Sequence, residues 1–154
     1  MKSRHLLLAV AAVCIALLAA AMYMQIGLNM QPCPLCVLQR YAFVAIAIFC
    51  LVGGLGGFTK PGAGLALLGA LSGIGIAGYH LYVKAHPDFS CGIDPLETSL
   101  NTIPTARLFP SLFKANGFCS TDYGPILGLS IAMWAMVWFV ICAVVLVAVL
   151  RKRD

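Results

Sequence analysis

The chain has 154 residues, of which 62% are hydrophobic and only 10% charged, and its mean hydropathy is +0.97. Soluble domains carry about a quarter charged residues and disordered chains are poor in apolar ones, so both classes are excluded. The net charge of +5 sits at the ends of apolar runs and not in one basic patch, which marks an integral membrane protein with no nucleic-acid partner.

A helix rising ~1.5 Å per residue needs about 20 apolar residues to cross a hydrocarbon core of ~30 Å. The first run that qualifies extends from Leu6 to Ile26. With its basic start and Ala19-Ala20-Ala21 it resembles a cleavable signal peptide, but Met22, Tyr23 and Met24 continue the run, which suits a retained anchor. A short loop over 25–40 follows, with Pro32, Cys33, Pro34 and Cys36. The second span is read from Tyr41 to Phe58, the third from Gly64 to Val83, and Thr59-Lys60-Pro61-Gly62 between them as a tight turn. Gly69, Gly73 and Ala77, four apart, line one face of the third span, where another helix can approach closely. A long polar loop over 84–125 leads to the fourth span, Ile126 to Leu150.

The expected fold class is therefore an all-α four-transmembrane-helix bundle, a single membrane domain over 1–154. Within the long loop, Leu108, Phe109, Leu112 and Phe113 make one apolar face if Thr105–Ala115 is helical, which predicts a short interfacial helix; a hydrophobic loop dipping into the headgroups fits as well.

Lys2, Arg4, Lys60, Arg151, Lys152 and Arg153 fall on one side of this layout. Arg40, Lys84, Arg107 and Lys114 fall on the other, among Asp88, Asp94, Glu97 and Asp122. The positive-inside rule then puts both termini in the cytoplasm and the two larger loops outside.

Depth sorts the cysteines. Cys14, Cys50 and Cys142 lie inside spans, where a thiol is a small, weakly polar filler. Cys33, Cys36, Cys91 and Cys119 lie in the outward loops, two in each, and an even number facing an oxidising compartment reads as two disulfides. A bridge within Cys33-Pro34-Leu35-Cys36 closes so short a loop that it stabilises little, which favours a redox centre over a staple. Pro34 suits a first helical turn, which sets Cys36 at a helix N-terminus, where the dipole lowers a thiol pKa. Arg40, one turn on, is either a cation beside that sulfur or a plain interfacial anchor. Cys91 and Cys119 taken alone read first as a structural pair, with an exchanging pair as the alternative.

Two readings from other classes stand beside a redox one. One is a non-enzymatic membrane scaffold with two structural disulfides. The other is a zinc site on the four loop cysteines, disfavoured because zinc sites pair two C-x-x-C units and an oxidising compartment opposes four thiolates, so no metal is expected. His80 and His86, at the outer end of the third span, read most simply as interfacial residues, with a quinone contact as their functional alternative.

The run Cys33-Pro34-Leu35-Cys36-Val37-Leu38-Gln39-Arg40 resembles the signature of the disulfide bond formation protein B (DsbB) family of bacterial inner membranes. The likeness covers the whole chain, including Leu127-Gly128-Leu129-Ser130 followed by Trp134. It departs at Tyr79, where many relatives carry arginine, at Lys84, where glutamine is common, and at Ala132, where proline is frequent. The resemblance implies an oxidoreductase that reoxidises a soluble periplasmic DsbA-type thioredoxin-fold oxidase and passes the electrons to ubiquinone or menaquinone. It implies redox disulfides Cys33–Cys36 and Cys91–Cys119, with Cys91 attacked by the partner and Cys119 its resolving mate. Cys36 would face the quinone and Arg40 would support it.

Overall fold

The computed structural model describes residues 2–86, 88, 93–118 and 123–152. Four of its helices are long and apolar enough to cross a membrane: α1 (Ser3–Gly27), α2 (Pro34–Leu55), α3 (Thr59–Ala85) and α7 (Ile131–Arg151). The three short ones, α4 (Ile93–Thr102), α5 (Pro104–Leu108) and α6 (Pro110–Phe113), belong to the long loop. The chain is thus a multi-pass membrane protein built as a four-helix bundle.

Local chemistry sets the helix starts. Cys33 is extended and caps α2, its Sγ accepting from the Cys36 amide at 3.3 Å, while Pro34 takes the first helical position, where a missing N–H leaves nothing unpaired. Ser130 caps α7 by accepting from the Met133 amide at 3.3 Å. The fourth helix therefore begins later than Ile126. Leu127 and Gly128 have φ values of 53° and 84°, so Ile126–Leu129 is a tight turn that no helix can absorb. The third helix begins earlier than Gly64. Thr59–Gly62 is its first turn and not a connection, since Pro61 needs no amide partner there, and the reversal falls on Gly56, Gly57 and Phe58.

The single interfacial helix expected over Thr105–Ala115 is broken in two. Pro110 excludes its predecessor from helical geometry, and Phe109 sits at φ −127°, ψ 67° between α5 and α6. The apolar face is split as a result: Phe113 is buried and stacks on Tyr41 at 4.3 Å, whereas Leu108 and Phe109 are exposed.

In the bundle α2 packs between α1 and α3, and α7 closes it chiefly on α3 and less on α1. Small residues allow the approach. Gly69 faces Ile46 of α2, Gly73 faces the Phe139 ring of α7, and Ala77 is fully buried. Phe139 also stacks on Phe43 at 4.1 Å, an arrangement worth ~1 kcal/mol beyond its buried area. Cys14, Cys50 and Cys142 lie in this core as expected. Ile48, Val52, Leu68 and Val144 point outward, more than half exposed, an apolar belt suited to lipid.

Candidate functional site

The looser contact between α1 and α7 widens toward the loop end of the bundle into a cavity of about 410 Å³. Its walls are mostly apolar, with Leu18, Phe43 and Trp138 among them, and its polar lining includes Cys33, Cys36, Gln39, Arg40, His80 and Lys84. Cys36, Gln39, Arg40 and Phe43 stand three, four and seven apart, one stripe of α2 facing one space.

The two sulfurs of Cys33 and Cys36 are 2.8 Å apart, the Cys33 thiol donating to the Cys36 sulfur. A disulfide needs about 2.05 Å, so closing the bridge requires each sulfur to move by well under ~1 Å. That hydrogen bond and, after it, burial push the Cys33 thiol well above the ordinary thiol range. Cys33 is 3% exposed, and its Sγ lies 3.8 Å from His80 Nε2. The other ring nitrogen, Nδ1, is 3.3 Å from the side-chain amide of Gln39. His80 is thus buried in the cavity wall, 5% exposed. His86 lies elsewhere: it is exposed at the end of α3, tilted against Tyr82 and outside the cavity lining.

Arg40 is 7% exposed, buried within the protein. Its Nη1 donates to Gln25 Oε1 at 2.8 Å, to the Leu112 carbonyl at 3.0 Å and to the Ser111 carbonyl at 3.4 Å. One guanidinium therefore joins α1, α2 and the long loop. The loop is also fastened to the residues just before Cys33. Asn116 and Gly117 donate their amides to the Pro32 carbonyl at 3.1 and 3.0 Å, and Tyr123 accepts from the Gln31 amide at 3.0 Å. Cys91 and Cys119 lie outside the described residues.

Sequence reasoning overlooked Gln25, the Leu112 carbonyl and the role of Gln39. Gln39 alone carried a signal, its spacing of three from Cys36 on a helix whose other faces are apolar.

The volume suits a small organic ligand, and Arg40, Gln39 and His80 line it together with Cys33 and Cys36.

The family described as "Disulfide bond formation protein DsbB" matches residues 3–149. A "Disulfide bond formation protein B" of Herminiimonas arsenicoxydans is 58% identical over 156 residues, covering 99% of each chain. One from Ralstonia nicotianae is 42% identical, covering 99% of this chain and 97% of its own. A "Disulfide bond formation protein B 1" of Pseudomonas fluorescens is 43% identical, over 99% of this chain and 93% of its own.

Proposed function

Because the chain belongs to the DsbB family, and is thereby a disulfide-forming oxidoreductase, we propose that it reoxidises a soluble periplasmic thioredoxin-fold dithiol protein of the DsbA type and delivers the electrons to a membrane quinone. The observation that carries this reading is a vicinal thiol pair at a helix N-terminus, opening onto a mostly apolar cavity that Arg40 borders. In this reading the chain is one domain of the bacterial inner membrane. Lys2, Arg4, Lys60, Arg151 and Lys152 lie at the cytoplasmic ends, and both cysteine-bearing loops lie in the periplasm.

The exchange steps balance as thiolate attacks. A partner thiolate attacks Cys91 of a Cys91–Cys119 disulfide, forming a mixed disulfide and releasing Cys119 as thiolate. The second partner thiol resolves that bond, leaving the partner oxidised and Cys91 and Cys119 reduced. Cys119 then attacks Cys33 of the Cys33–Cys36 disulfide and expels Cys36 as thiolate. Cys91 closes again on Cys119, and Cys33 leaves with a proton. The hold of Pro32 on Asn116 and Gly117 supports this order, because it keeps the chain just ahead of Cys119 beside Cys33.

Two features of α2 favour Cys36 as the leaving sulfur. Cys36 stands in the first turn of α2, at the positive end of the helix dipole, and Arg40 lies one turn below it. Cys33, whose thiol holds its proton, is the complementary member. Bound quinone would supply a two-electron, two-proton acceptor for this dithiol. Arg40 and Gln39 would hold its polar edge, and His80 Nε2, 3.8 Å from Cys33 Sγ, would handle that residue's proton.

The test is reduction of a soluble quinone by purified chain supplied with a reduced thioredoxin-fold dithiol protein, followed by quinone absorbance. Turnover requiring both substrates is expected. Stable bridges that never exchange with the dithiol would overturn the reading in favour of a scaffold.

A further inference from the structure

Three soft donors meet where α2 begins. One ligand atom each from Cys33, Cys36 and His80 lies within 4.8 Å of the other two, and Cys33 Sγ is 3.8 Å from His80 Nε2. With Zn–S of ~2.3 Å and Zn–N of ~2.0 Å, tetrahedral ligands stand about 3.5 Å apart for sulfur and nitrogen and about 3.8 Å for two sulfurs. The sulfur–nitrogen spacing is therefore already close to that of a ligand set. The sulfurs, at 2.8 Å, reach theirs by turning one cysteine side chain.

An outer shell is present as well. A ligating histidine ordinarily donates its second ring N–H to an acceptor that fixes the tautomer. Gln39 stands at His80 Nδ1 at 3.3 Å, and a half-turn of its amide offers Oε1 to Nδ1–H. The lone pair of Nε2 then faces the sulfurs. A fourth position is open to the cavity, since all three ligands line it.

We infer that the reduced Cys33–Cys36 pair and His80 together bind a thiophilic d10 divalent cation of the zinc class, and that this holds the pair in the dithiol state. Binding displaces two thiol protons and transfers no electrons. The two thiolates cancel the charge of the cation, so the filled site is neutral, as a buried position requires. A disulfide offers no thiolate, so metal and bridge exclude one another. The ligand set stands on donor geometry alone, whereas blockade of turnover by the metal rests on the redox role proposed above.

The experiment titrates the full chain in detergent with Cd²⁺, after anaerobic reduction and removal of the reductant, following bound metal and thiolate-to-cadmium absorbance. One equivalent is expected in the reduced chain and in its Cys91→Ser/Cys119→Ser form, and none in the oxidised chain. Cys33→Ser should abolish that equivalent, Gln39→Leu should weaken it about tenfold, the usual cost of removing an outer-shell partner, and His80→Ala should weaken it more. Undiminished binding in Cys33→Ser or His80→Ala overturns the proposal. Where a variant fails to fold, the unaltered chain decides. Cd²⁺ should slow alkylation of Cys33 and Cys36, mapped by peptide mass, and equal alkylation with and without metal overturns the site. Metal held at these residues by a chain that reduces no quinone would reject the electron relay and leave the metal site intact.

Discussion

The amide of Gly117 donates to the carbonyl of Pro32 at 3.0 Å, so the long second loop is fastened to the residue that precedes Cys33. The contact leaves no room for a side chain, because a Cβ on Gly117 would stand 2.5 Å from the Gln31 carbonyl oxygen. Gly117→Val should therefore push the loop off Gln31 and Pro32. The expected outcome is a drop of roughly tenfold to a hundredfold in the rate at which a protein dithiol reduces the Cys33–Cys36 bridge, the scale of a misplacement near 1 Å. Reduction by a small dithiol that reaches the pair directly should be unaffected, and stopped-flow comparison of the two reductants checks it.

Cys33→Ser and Cys36→Ser should each abolish quinone reduction, because neither leaves a sulfur pair to close beside the cavity. Normal turnover in either variant rejects the assignment of this pair.

A partner lacking its second thiol should be trapped on the oxidised chain as a mixed disulfide through Cys91, and Cys91→Ser should abolish that complex. Non-reducing electrophoresis after mixing separates the two outcomes. A complex trapped through Cys119 would exchange the two roles.

Arg40→Lys should not conserve function. Both Gln25 Oε1 and the Leu112 carbonyl are served by Nη1, which stands one bond farther from the backbone than a lysine ammonium, so lysine falls short of them. Leaving one buried acceptor unpaired costs about 1–3 kcal/mol, or roughly a tenfold change or more. A rise of that size in the quinone KM is expected, together with faster amide exchange at 111–114. An unchanged KM would separate Arg40 from the ligand.

Gly73→Ala places a methyl group inside the Phe139 ring. Overpacking of this kind costs about 1–3 kcal/mol, so the thermal midpoint in detergent should fall. Adding Phe139→Leu should recover part of the loss, since the two residues are in contact and their effects do not add.

The four spans were legible because twenty apolar residues have few other uses, and the Gly69–Gly73–Ala77 face was legible because small residues at a spacing of four have a geometric consequence. The limits of the helices were less so. Polar and proline-containing stretches read as connections, yet Pro61 sits in the first turn of α3, and α2 begins at Pro34, the first-turn proline, well before Tyr41. Ile126 and Leu127 read as span because they are apolar, whereas the backbone at Gly128 needs a left-handed turn there. Thr105–Ala115 has helical periodicity but holds Pro110 in its middle, and there the proline prevailed. At the site, the Cys33–Cys36 pair and Arg40 stood out by spacing. The approach of His80 to Cys33 did not, because it joins two helices across 47 positions, and no local pattern encodes such a meeting.

The guanidinium of Arg40 has a consequence for how the cavity and the loop respond to each other. It touches both, through Gln25 on one side and Leu112 on the other. A guest that draws this group inward takes donors away from the loop, and a loop pulled outward by a docking protein takes them away from the guest. Thermodynamic linkage makes the two effects equal in size, so occupancy within the membrane and accessibility at its surface behave as a single seesaw.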